Sequence, residues 1–349
     1  MRVVILGPSF RSYLESVARG FEQHGIAATT LSYPEPPIGV LQIVAHDLLP
    51  RRNITFLRRR LIDRVVRQAE AASRGAQLLV LVKSDAIPLA QYEALLQSVK
   101  CPKILWFMDS LQYIKEGLER AGMAEGVFYF EGTDSSALAG LDVPCHHIFM
   151  AADPYWYNPL DGARTRWDLS FIGTPYENRL SLLESILREL PPGLPLRGRL
   201  VGNCRSYFHP FRAAREMSPY PLTAMHLKHG ANWTHSQINV LNNESRICIN
   251  VMHPQSNDSL NPRTFETCAS GAFLLCQTNN ALARCFEPGK EVETFASPGE
   301  AAEKISFYLG NPSAAQAIAE AGKRRVLRDH TMGVRIGQAL QALRDDSLL

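Results

Sequence analysis

The sequence contains no long apolar run, no paired-cysteine motif and no large excess of either charge. No apolar run approaches the roughly 20 residues that a membrane-spanning helix requires. The seven cysteines are odd in number and scattered, without a Cys-x-x-Cys pair, so we expect reduced and mostly buried thiols. A net charge of +3 over 349 residues is too small to indicate nucleic-acid binding. Membrane-spanning, disulfide-rich and nucleic-acid-binding proteins are therefore disfavoured.

Short motifs for common cofactors and catalytic groups are also missing. The turn after the first predicted strand has a single glycine, Gly7, which argues against the dinucleotide fingerprint of dehydrogenases. Neither a P-loop nor a Gly-x-Ser-x-Gly elbow occurs. His146 and His147 are adjacent, so they would point to opposite faces of a strand. His226 and His229 lack a third ligand at a recognisable spacing. We therefore expect neither a metal ion nor another cofactor.

The composition is that of a globular protein, with 46% hydrophobic and 20% charged residues. The length permits two domains with separate cores. The amino terminus enters a predicted strand directly, without the longer apolar core and cleavage site of a signal peptide. Together with the reduced cysteines this favours a cytoplasmic protein. Peripheral contact with the inner face of the membrane is left open.

Alternating strands and helices predict an α/β fold in two parts. The first part contains apolar strands of parallel-sheet type at residues 2–6, 78–82, 104–108 and 127–130. After a segment rich in Tyr, Trp and Pro, the pattern restarts at residue 168 with a second strand–turn–helix unit. We predict an N-terminal Rossmann-like domain over residues 1–155 and a C-terminal one over residues 156–349. The last helix can return to the first domain.

Polar residues follow the strands of both predicted sheets. In an open α/β sheet, ligands bind beyond the carboxyl ends of the strands. By position alone, the candidate site residues in the first domain are Ser9, Asp85, Asp109 and Asp134. In the second domain, Gly173 would let the backbone approach a phosphate, and Arg179 would reach it. The alternatives are polar residues that merely end strands, a packing glycine and a surface arginine.

Residues 51–74 carry eight arginines on a predicted helix with a periodic apolar side. Such a surface suits anionic lipid head groups or an acidic acceptor. A solvated helical face is the alternative, and the polar side has no aromatic residue to anchor it in a membrane interface.

The densest group of polar residues lies at the start of a short predicted helix. Pro262 suits the first position of that helix, Gly271 its end, and an apolar strand follows at residues 272–276. Asn261, Arg263 and Glu266 therefore gather where free backbone N–H groups favour a phosphate. An arginine adds a charge-assisted contact, and a carboxylate can accept hydrogen bonds from two sugar hydroxyls. The stretch predicts a pocket for a nucleoside diphosphate, with a structural Arg–Glu pair as the alternative.

Residues 249–276, with Ile-Asn-Val-Met-His followed by Asn-Pro-Arg-Thr-Phe-Glu-Thr-Cys-Ala-Ser-Gly, resemble the signature of GT-B glycosyltransferases of the CgeB (spore-maturation-protein-like) type. In related retaining enzymes, two acidic residues are separated by seven positions and the second holds the ribose. Glu266 matches that second position, whereas the first is occupied by Asp258 in place of Glu. The resemblance covers the second domain well and the first loosely.

The resemblance implies two Rossmann-like domains that face each other across a cleft. It implies a metal-independent glycosyltransferase that moves a sugar from a UDP- or dTDP-sugar to a hydroxyl of a glycan, a lipid-linked glycan or a protein. From its position after a strand, Asp109 would be the general base if the enzyme inverts configuration and would orient the acceptor if it retains configuration. Ser9, Asp85 and Asp134 would lie at the acceptor. The expected donor-binding residues are Glu266, Arg263, Asn261, Asp258, His253, Gly173, Arg179, Gly202 and Asn203. The alternatives are an epimerase or hydrolase of nucleotide sugars on the same fold, and a non-catalytic nucleotide-binding module.

Overall fold

The computed structural model describes residues 1–9, 12–33, 51–202, 210–226, 233–253 and 256–349, and at residues 51–58 and 210–213 it describes the backbone alone. The chain divides into two compact units. Unit 1 comprises Met1–Met150 and Met332–Leu349, and unit 2 comprises Ala151–Thr331. The sequence-based boundary was placed after residue 155, and the last helix is part of unit 1.

Unit 1 contains a six-stranded parallel sheet in the order β2-β1-β3-β4-β5-β6. Its strands are β1 (Arg2–Pro8), β2 (Ala27–Tyr33), β3 (Leu78–Val82), β4 (Lys103–Trp106), β5 (Gly126–Tyr129) and β6 (Cys145–His147). Its helices are α1 (Tyr13–Gln23), α2 (Arg51–Ser73), α3 (Leu89–Ser98), α4 (Gly117–Met123), α5 (Ser135–Leu138) and, at the chain end, α14 (Met332–Asp345). The central strand β3 is apolar and buried throughout, as expected for a parallel sheet that helices cover on both faces.

Helix α14 belongs to unit 1 because its apolar side packs on α1. An added Cβ at Gly20 of α1 would lie 2.6 Å from Cγ1 of Ile336, so the two helices approach closely. The buried Arg335 donates from Nε to the carbonyl oxygens of Phe149 and Met150 at 3.0 and 3.3 Å. These contacts fix the last helix to the end of the unit 1 chain that precedes unit 2.

Unit 2 contains a five-stranded parallel sheet in the order β11-β10-β9-β7-β8. Its strands are β7 (Trp167–Ile172), β8 (Gly198–Val201), β9 (Ser245–Asn250), β10 (Leu274–Gln277) and β11 (Glu293–Phe295). Its helices are α6 (Glu177–Glu189), α7 (Pro210–Met217), α8 (Pro221–His226), α9 (His235–Asn243), α10 (Pro262–Ala269), α11 (Leu282–Cys285), α12 (Pro298–Gly310) and α13 (Pro312–Asp329). From β7, the chain first builds outward to β8 and then turns back to β9 on the other side. This reversal makes the carboxyl ends of β7 and β9 the position where α/β sheets bind ligands.

Helix α10 is held in place by close packing against α13. An added Cβ at Gly322 of α13 would lie 2.2 Å from the carbonyl oxygen of Glu291 and 3.5 Å from Sγ of Cys268 in α10. The approach to Glu291 requires a glycine, whereas 3.5 Å from Cys268 is an ordinary packing distance. The buried side of α10, which includes Phe265 and Cys268, therefore rests on a fixed support, and its first turn lies at the carboxyl edge of the sheet.

Candidate functional site

Helix α10 begins and ends where the sequence predicts. Pro262 occupies its first turn, and the N–H of Thr264 donates to Oδ1 of the cap residue Asn261 at 3.3 Å. Ser270 follows the last turn, and Gly271 has a φ of 75°, a left-handed conformation that glycine adopts at little cost. The remaining N–H groups of the first turn and the positive end of the helix dipole lie at the same place.

An asparagine at the end of β9 ties the start of α10 to the sheet. Asn250 and Asn261 exchange two amide hydrogen bonds, each 3.1 Å long. Nδ2 of Asn250 also donates to Oγ1 of Thr264 at 3.0 Å. Asn250 is buried, so these bonds replace contacts with water that it has lost. Sequence reasoning did not select Asn250, although a polar residue at the end of an apolar strand was a usable signal.

Arg263 and Glu266 form an ion pair one turn apart on α10. Nη1 of Arg263 donates to Oε2 of Glu266. It also donates to the hydroxyl oxygen of Tyr157, at a distance of 3.1 Å. Both charged side chains are largely buried. Burial opposes the charge on Arg263, but the charge of Glu266 and the hydrogen bond to Tyr157 outweigh it, so the pKa of Arg263 is raised. The contact between Arg263 and Glu266 that was the alternative expectation is therefore present, and it does not involve Nε or Nη2 of the arginine.

Arg179 of α6 is a second buried cation, not the surface arginine that was the alternative expectation. Its Nε donates to the carbonyl oxygen of Val251 at 3.1 Å, and its Nη1 to that of Thr174 at 3.0 Å. Its Cζ lies 5.8 and 5.7 Å from the ring centres of Phe171 and Tyr176. Thr174 follows β7 and Val251 follows β9, so Arg179 lies where the order of the strands reverses.

This part of unit 2 therefore holds two guanidinium groups, and among the described residues only that of Arg263 contacts a carboxylate. Among the residues that the structure describes, no carboxylate contacts Arg179. The pKa of Arg179 is lowered to about 10, mainly by burial and to a smaller extent by the positive charge of Arg263, against the raising effect of Tyr176. The site carries a net positive charge from its side chains, and the first turn of α10 adds a partial one. Such an arrangement is suited to an anion.

The glycines of the predicted donor site have packing roles. An added Cβ at Gly202 would lie 1.9 Å from the carbonyl oxygen of Gly173, so the ends of β7 and β8 can approach only without a side chain there. The N–H of Gly173 donates to the carbonyl oxygen of Val201 at 2.9 Å. This N–H is thus engaged within the sheet. Asn203, also assigned to the donor site from the sequence, lies outside the described residues.

His253 and Asp258 lie on the segment between β9 and α10. The ring of His253 contacts that of Tyr176 edge to face, with 4.7 Å between ring centres, which places it beside the arginine–aromatic group of Arg179. Asp258 forms an ion pair with Arg284 of α11 at 2.6 Å, and Arg284 also donates to the Asp258 carbonyl oxygen at 3.0 Å. The structure thus brings His253 towards the Arg179 group and gives Asp258 a partner on another helix.

At the carboxyl edge of the unit 1 sheet, Asp109 forms an ion pair with Lys83 at 2.6 Å. Lys83 follows β3 and adopts a left-handed conformation, with φ 46° and ψ 61°, which a lysine rarely does. The sequence selected Asp109 but not Lys83, although both end neighbouring strands. Asp85 and Ser9 are exposed at the same edge.

Asp134 has internal hydrogen-bond partners. Its carboxylate accepts from Oγ of Ser110 at 3.0 Å and from the N–H of Leu111 at 2.9 Å. Burial raises the pKa of Asp134 above its ordinary value, although these hydrogen bonds work in the opposite direction. The contacts close the turn after β4 and favour a structural role over contact with an acceptor.

The arginine-rich helix α2 exposes Arg59, Arg64 and Arg67, while Ile62 and Ala69 are buried against the core of unit 1. Within the described part of the chain, no helix is long and apolar enough to cross a bilayer. Contact of α2 with an anionic membrane stays a prediction, which binding to acidic lipid vesicles would test.

Comparisons with known proteins bear on this geometry. A family profile described as glycosyl transferase-like matches residues 179–341, which is less than half of the chain but includes Arg179 and helix α10. A sucrose-phosphate synthase from Thermosynechococcus elongatus aligns with a TM-score of 0.67 and 13% identity over 99% of both chains. HepE from Anabaena in complex with UDP and glucose aligns with a TM-score of 0.68 and 14% identity over 99% of this chain and 100% of that one. A glycosyltransferase from Rickettsia africae aligns with a TM-score of 0.64 and 12% identity over 99% of this chain and 98% of that one.

No match was found among curated proteins. At identities of 12–14%, the solved structures show the fold alone. That fold consists of two Rossmann-like domains of the GT-B type, which confirms the fold class predicted from the sequence. Membership of the CgeB-type branch stays a prediction.

We expect Asn261→Ala to lower the free energy of unfolding of unit 2 by about 1–3 kcal/mol, because α10 loses its cap and Asn250 loses an amide partner. Calorimetric melting measures the change. Asn311→Ala is the matched control, since Asn311 also precedes a proline at a helix start but its side chain makes no cap hydrogen bond. Equal melting temperatures of the two variants would contradict this role of Asn261.

Proposed function

We propose that unit 2 binds a nucleoside diphosphate sugar and that the protein is a glycosyltransferase. The observation that carries the proposal is the buried Arg179, which has no carboxylate partner in the described residues and lies near Arg263 and the start of α10. The match of a glycosyl transferase-like profile to residues 179–341 supports it. The GT-B fold shared with HepE, whose structure contains UDP and glucose, supports it as well.

The two arginines would bind the diphosphate. Nη2 of Arg179, and Nε and Nη2 of Arg263, donate to no described residue. These donors and the N–H groups at the start of α10 supply charge-assisted hydrogen bonds to phosphate oxygens. When the bond from the sugar to the diphosphate breaks, negative charge builds up on the leaving oxygen. Fixed cations stabilise that charge without reorganising, which lowers the barrier to transfer.

Glu266 would bind the ribose. Its Oε2 accepts from Arg263, and its Oε1 has no partner among the described residues. A carboxylate held by an arginine has a fixed orientation, and it retains an oxygen for a sugar hydroxyl. UDP- and dTDP-sugars remain the proposed donors. Asn261 would act through the cap of α10, and His253 through its contact with Tyr176.

Unit 1 would bind the acceptor, a hydroxyl of a glycan, a lipid-linked glycan or a protein. Asp109 is the proposed general base, and its ion pair with Lys83 holds the carboxylate at the carboxyl edge of the sheet. Asp85 and Ser9 are exposed there and available to an acceptor. If the enzyme retains configuration, Asp109 would orient the acceptor instead. Epimerisation or hydrolysis of a nucleotide sugar is the alternative, and product analysis with and without an acceptor distinguishes the reactions.

Replacement of Arg179 tests the observation that carries the proposal. We expect Arg179→Met to weaken UDP binding by about 10- to 100-fold in calorimetric titrations, because a charge-assisted hydrogen bond is lost. Binding of uridine, which has no phosphate, should change little. Arg199→Met is the matched control, since Arg199 also lies between two aromatic rings, at 5.7 Å from Trp167 and 5.3 Å from Trp233. An unchanged UDP affinity in Arg179→Met would refute the assignment of the phosphate site.

Glu266→Gln separates a ligand-binding role from a structural one. We expect the Kd for UDP to rise by roughly 5- to 150-fold, corresponding to about 1–3 kcal/mol, because ribose hydroxyls lose a charged acceptor. The melting temperature should fall little. Glu244→Gln is the control, because Glu244 also pairs with an arginine, Arg166, but precedes β9 at the opposite edge of the sheet. A clear drop in melting temperature with an unchanged Kd would assign Glu266 to the fold.

We also propose that no metal ion takes part in donor binding. Within the described residues, no three His, Cys, Asp or Glu side chains lie together in a way that could hold an ion. The two arginines and the start of α10 would supply the positive charge that a metal supplies elsewhere. We expect UDP affinity and sugar transfer to be the same with and without EDTA. Loss of both in EDTA, with recovery on addition of Mn²⁺ or Mg²⁺, would contradict this.

A further inference from the structure

A chain of polar contacts runs from Arg263 to a histidine on another helix. The hydroxyl of Tyr157 accepts from Nη1 of Arg263 at 3.1 Å and lies 2.6 Å from Nδ1 of His235. Tyr157 precedes β7 and is almost fully buried, and His235 is the first residue of α9. The three side chains come from separate parts of unit 2, and their contacts converge on one phenolic oxygen.

The direction of the hydrogen bonds follows from the donors available. An arginine side chain has N–H donors and no acceptor, so Tyr157 must accept from Arg263. The proton of the Tyr157 hydroxyl is then available to Nδ1 of His235. In the tautomer that carries its proton on Nε2, His235 accepts this hydrogen bond at Nδ1. Each bond in this order makes the phenolic oxygen a better acceptor for the arginine.

Tyr157 and His235 are both held in place by further contacts. Thr234 and Gln237 form a capping box at the start of α9, and the ring of His235 stacks on Trp156 with 5.3 Å between ring centres. Asn239 of α9 exchanges two hydrogen bonds with the backbone of Asn158, at 3.2 and 2.9 Å. The segment that carries Tyr157 is thus tied to the helix that carries His235, so their separation is fixed by the backbone.

These contacts determine which nitrogens of Arg263 remain for a ligand. With Glu266 as its sole partner, the arginine would settle into a closed ion pair, and a phosphate would have to compete with the carboxylate for it. A second acceptor on the same nitrogen limits that movement. Nη1 of Arg263 then contacts both Glu266 and Tyr157, while Nε and Nη2 remain for a ligand. Glu266 in turn keeps one oxygen for the ribose.

We propose that Tyr157 and His235 are positioning residues that hold Arg263 for the diphosphate of the donor. The inference rests on the proposed nucleoside diphosphate site and extends it to two residues outside α10, of which Tyr157 also precedes the region matched by the family profile. It assigns them an effect on the phosphate part of the ligand alone, because their contact with the site passes through Arg263. A role in folding would affect phosphate-containing and phosphate-free ligands equally.

The test compares UDP with uridine, and dTDP with thymidine, in calorimetric titrations of the full chain. Tyr157→Phe removes one oxygen and keeps the ring. We expect the affinity ratio of diphosphate to nucleoside to fall about 3- to 10-fold, with nucleoside affinity unchanged. Tyr155→Phe is the matched control, because Tyr155 is two residues earlier and 65% exposed. It should leave the ratio as in the wild type.

Two substitutions of His235 test the second member of the chain. His235→Leu has no acceptor and should lower the ratio to a similar extent, whereas His235→Gln keeps an acceptor oxygen and should restore most of it. The variant with both Tyr157→Phe and His235→Leu should be no weaker than Tyr157→Phe alone, since both residues act through one oxygen. If Tyr157→Phe does not fold, as judged from its melting curve, the comparison of the two His235 variants decides.

The outcomes separate this inference from the proposed function. Suppose that the affinity ratio of diphosphate to nucleoside falls in Arg179→Met but keeps its wild-type value in Tyr157→Phe and His235→Leu. That result would overturn the positioning role and leave the nucleotide site intact. Equal losses for diphosphate and nucleoside in Tyr157→Phe would also overturn it and indicate a structural role. A wild-type protein that binds neither diphosphate would refute the proposed site and this inference together.

Discussion

An excess of buried positive charge at one edge of the unit 2 sheet is the constraint on which the candidate site depends. Among the described residues, Arg263 contacts one carboxylate, that of Glu266, and Arg179 contacts none. A buried cation without a counter-ion is costly unless other groups solvate it. Carbonyl oxygens and aromatic rings solvate Arg179, and the hydroxyl of Tyr157 accepts a hydrogen bond from Arg263. Burying a second cation costs more free energy than burying one ion pair alone, and a bound anion would offset that cost.

The parallel sheet explains why these groups meet. The acceptors of Arg179 follow β7 and β9, and Asn250 at the end of β9 ties down the cap of α10. All are at carboxyl ends of strands, where the reversal in strand order opens space above the sheet. The glycine contacts at Gly202 and Gly322 allow the strands and helices to approach closely enough to fix this arrangement. The fold by itself thus holds the two arginines in position.

The sequence predicted what depends on local patterns. Strand runs, the proline at the start of α10 and the glycine after its end are set by neighbouring residues, and spacing alone brought Arg263 and Glu266 to one turn. It did not reveal the burial of Arg179, because the strand end that supplies its partner Val251 is 72 positions away in the chain. Tyr157 and His235 are 78 positions apart, so only the fold could pair them. The packing roles of Gly173 and Gly202 likewise depend on two strands far apart in the chain.

The division of the chain would separate the two tasks of the proposed sugar transfer. Every contact behind the proposed donor site lies within Ala151–Thr331, and the candidates for acceptor binding, including the Lys83–Asp109 pair, lie within unit 1. In the proposed reaction, donor affinity would depend on charge and hydrogen bonds that unit 2 supplies by itself. Acceptor choice would depend on a different set of strand ends, among them that of Lys83, whose left-handed conformation is unfavourable for a lysine. Substitutions in unit 1 would then change which hydroxyl receives the sugar without changing how the nucleotide is held.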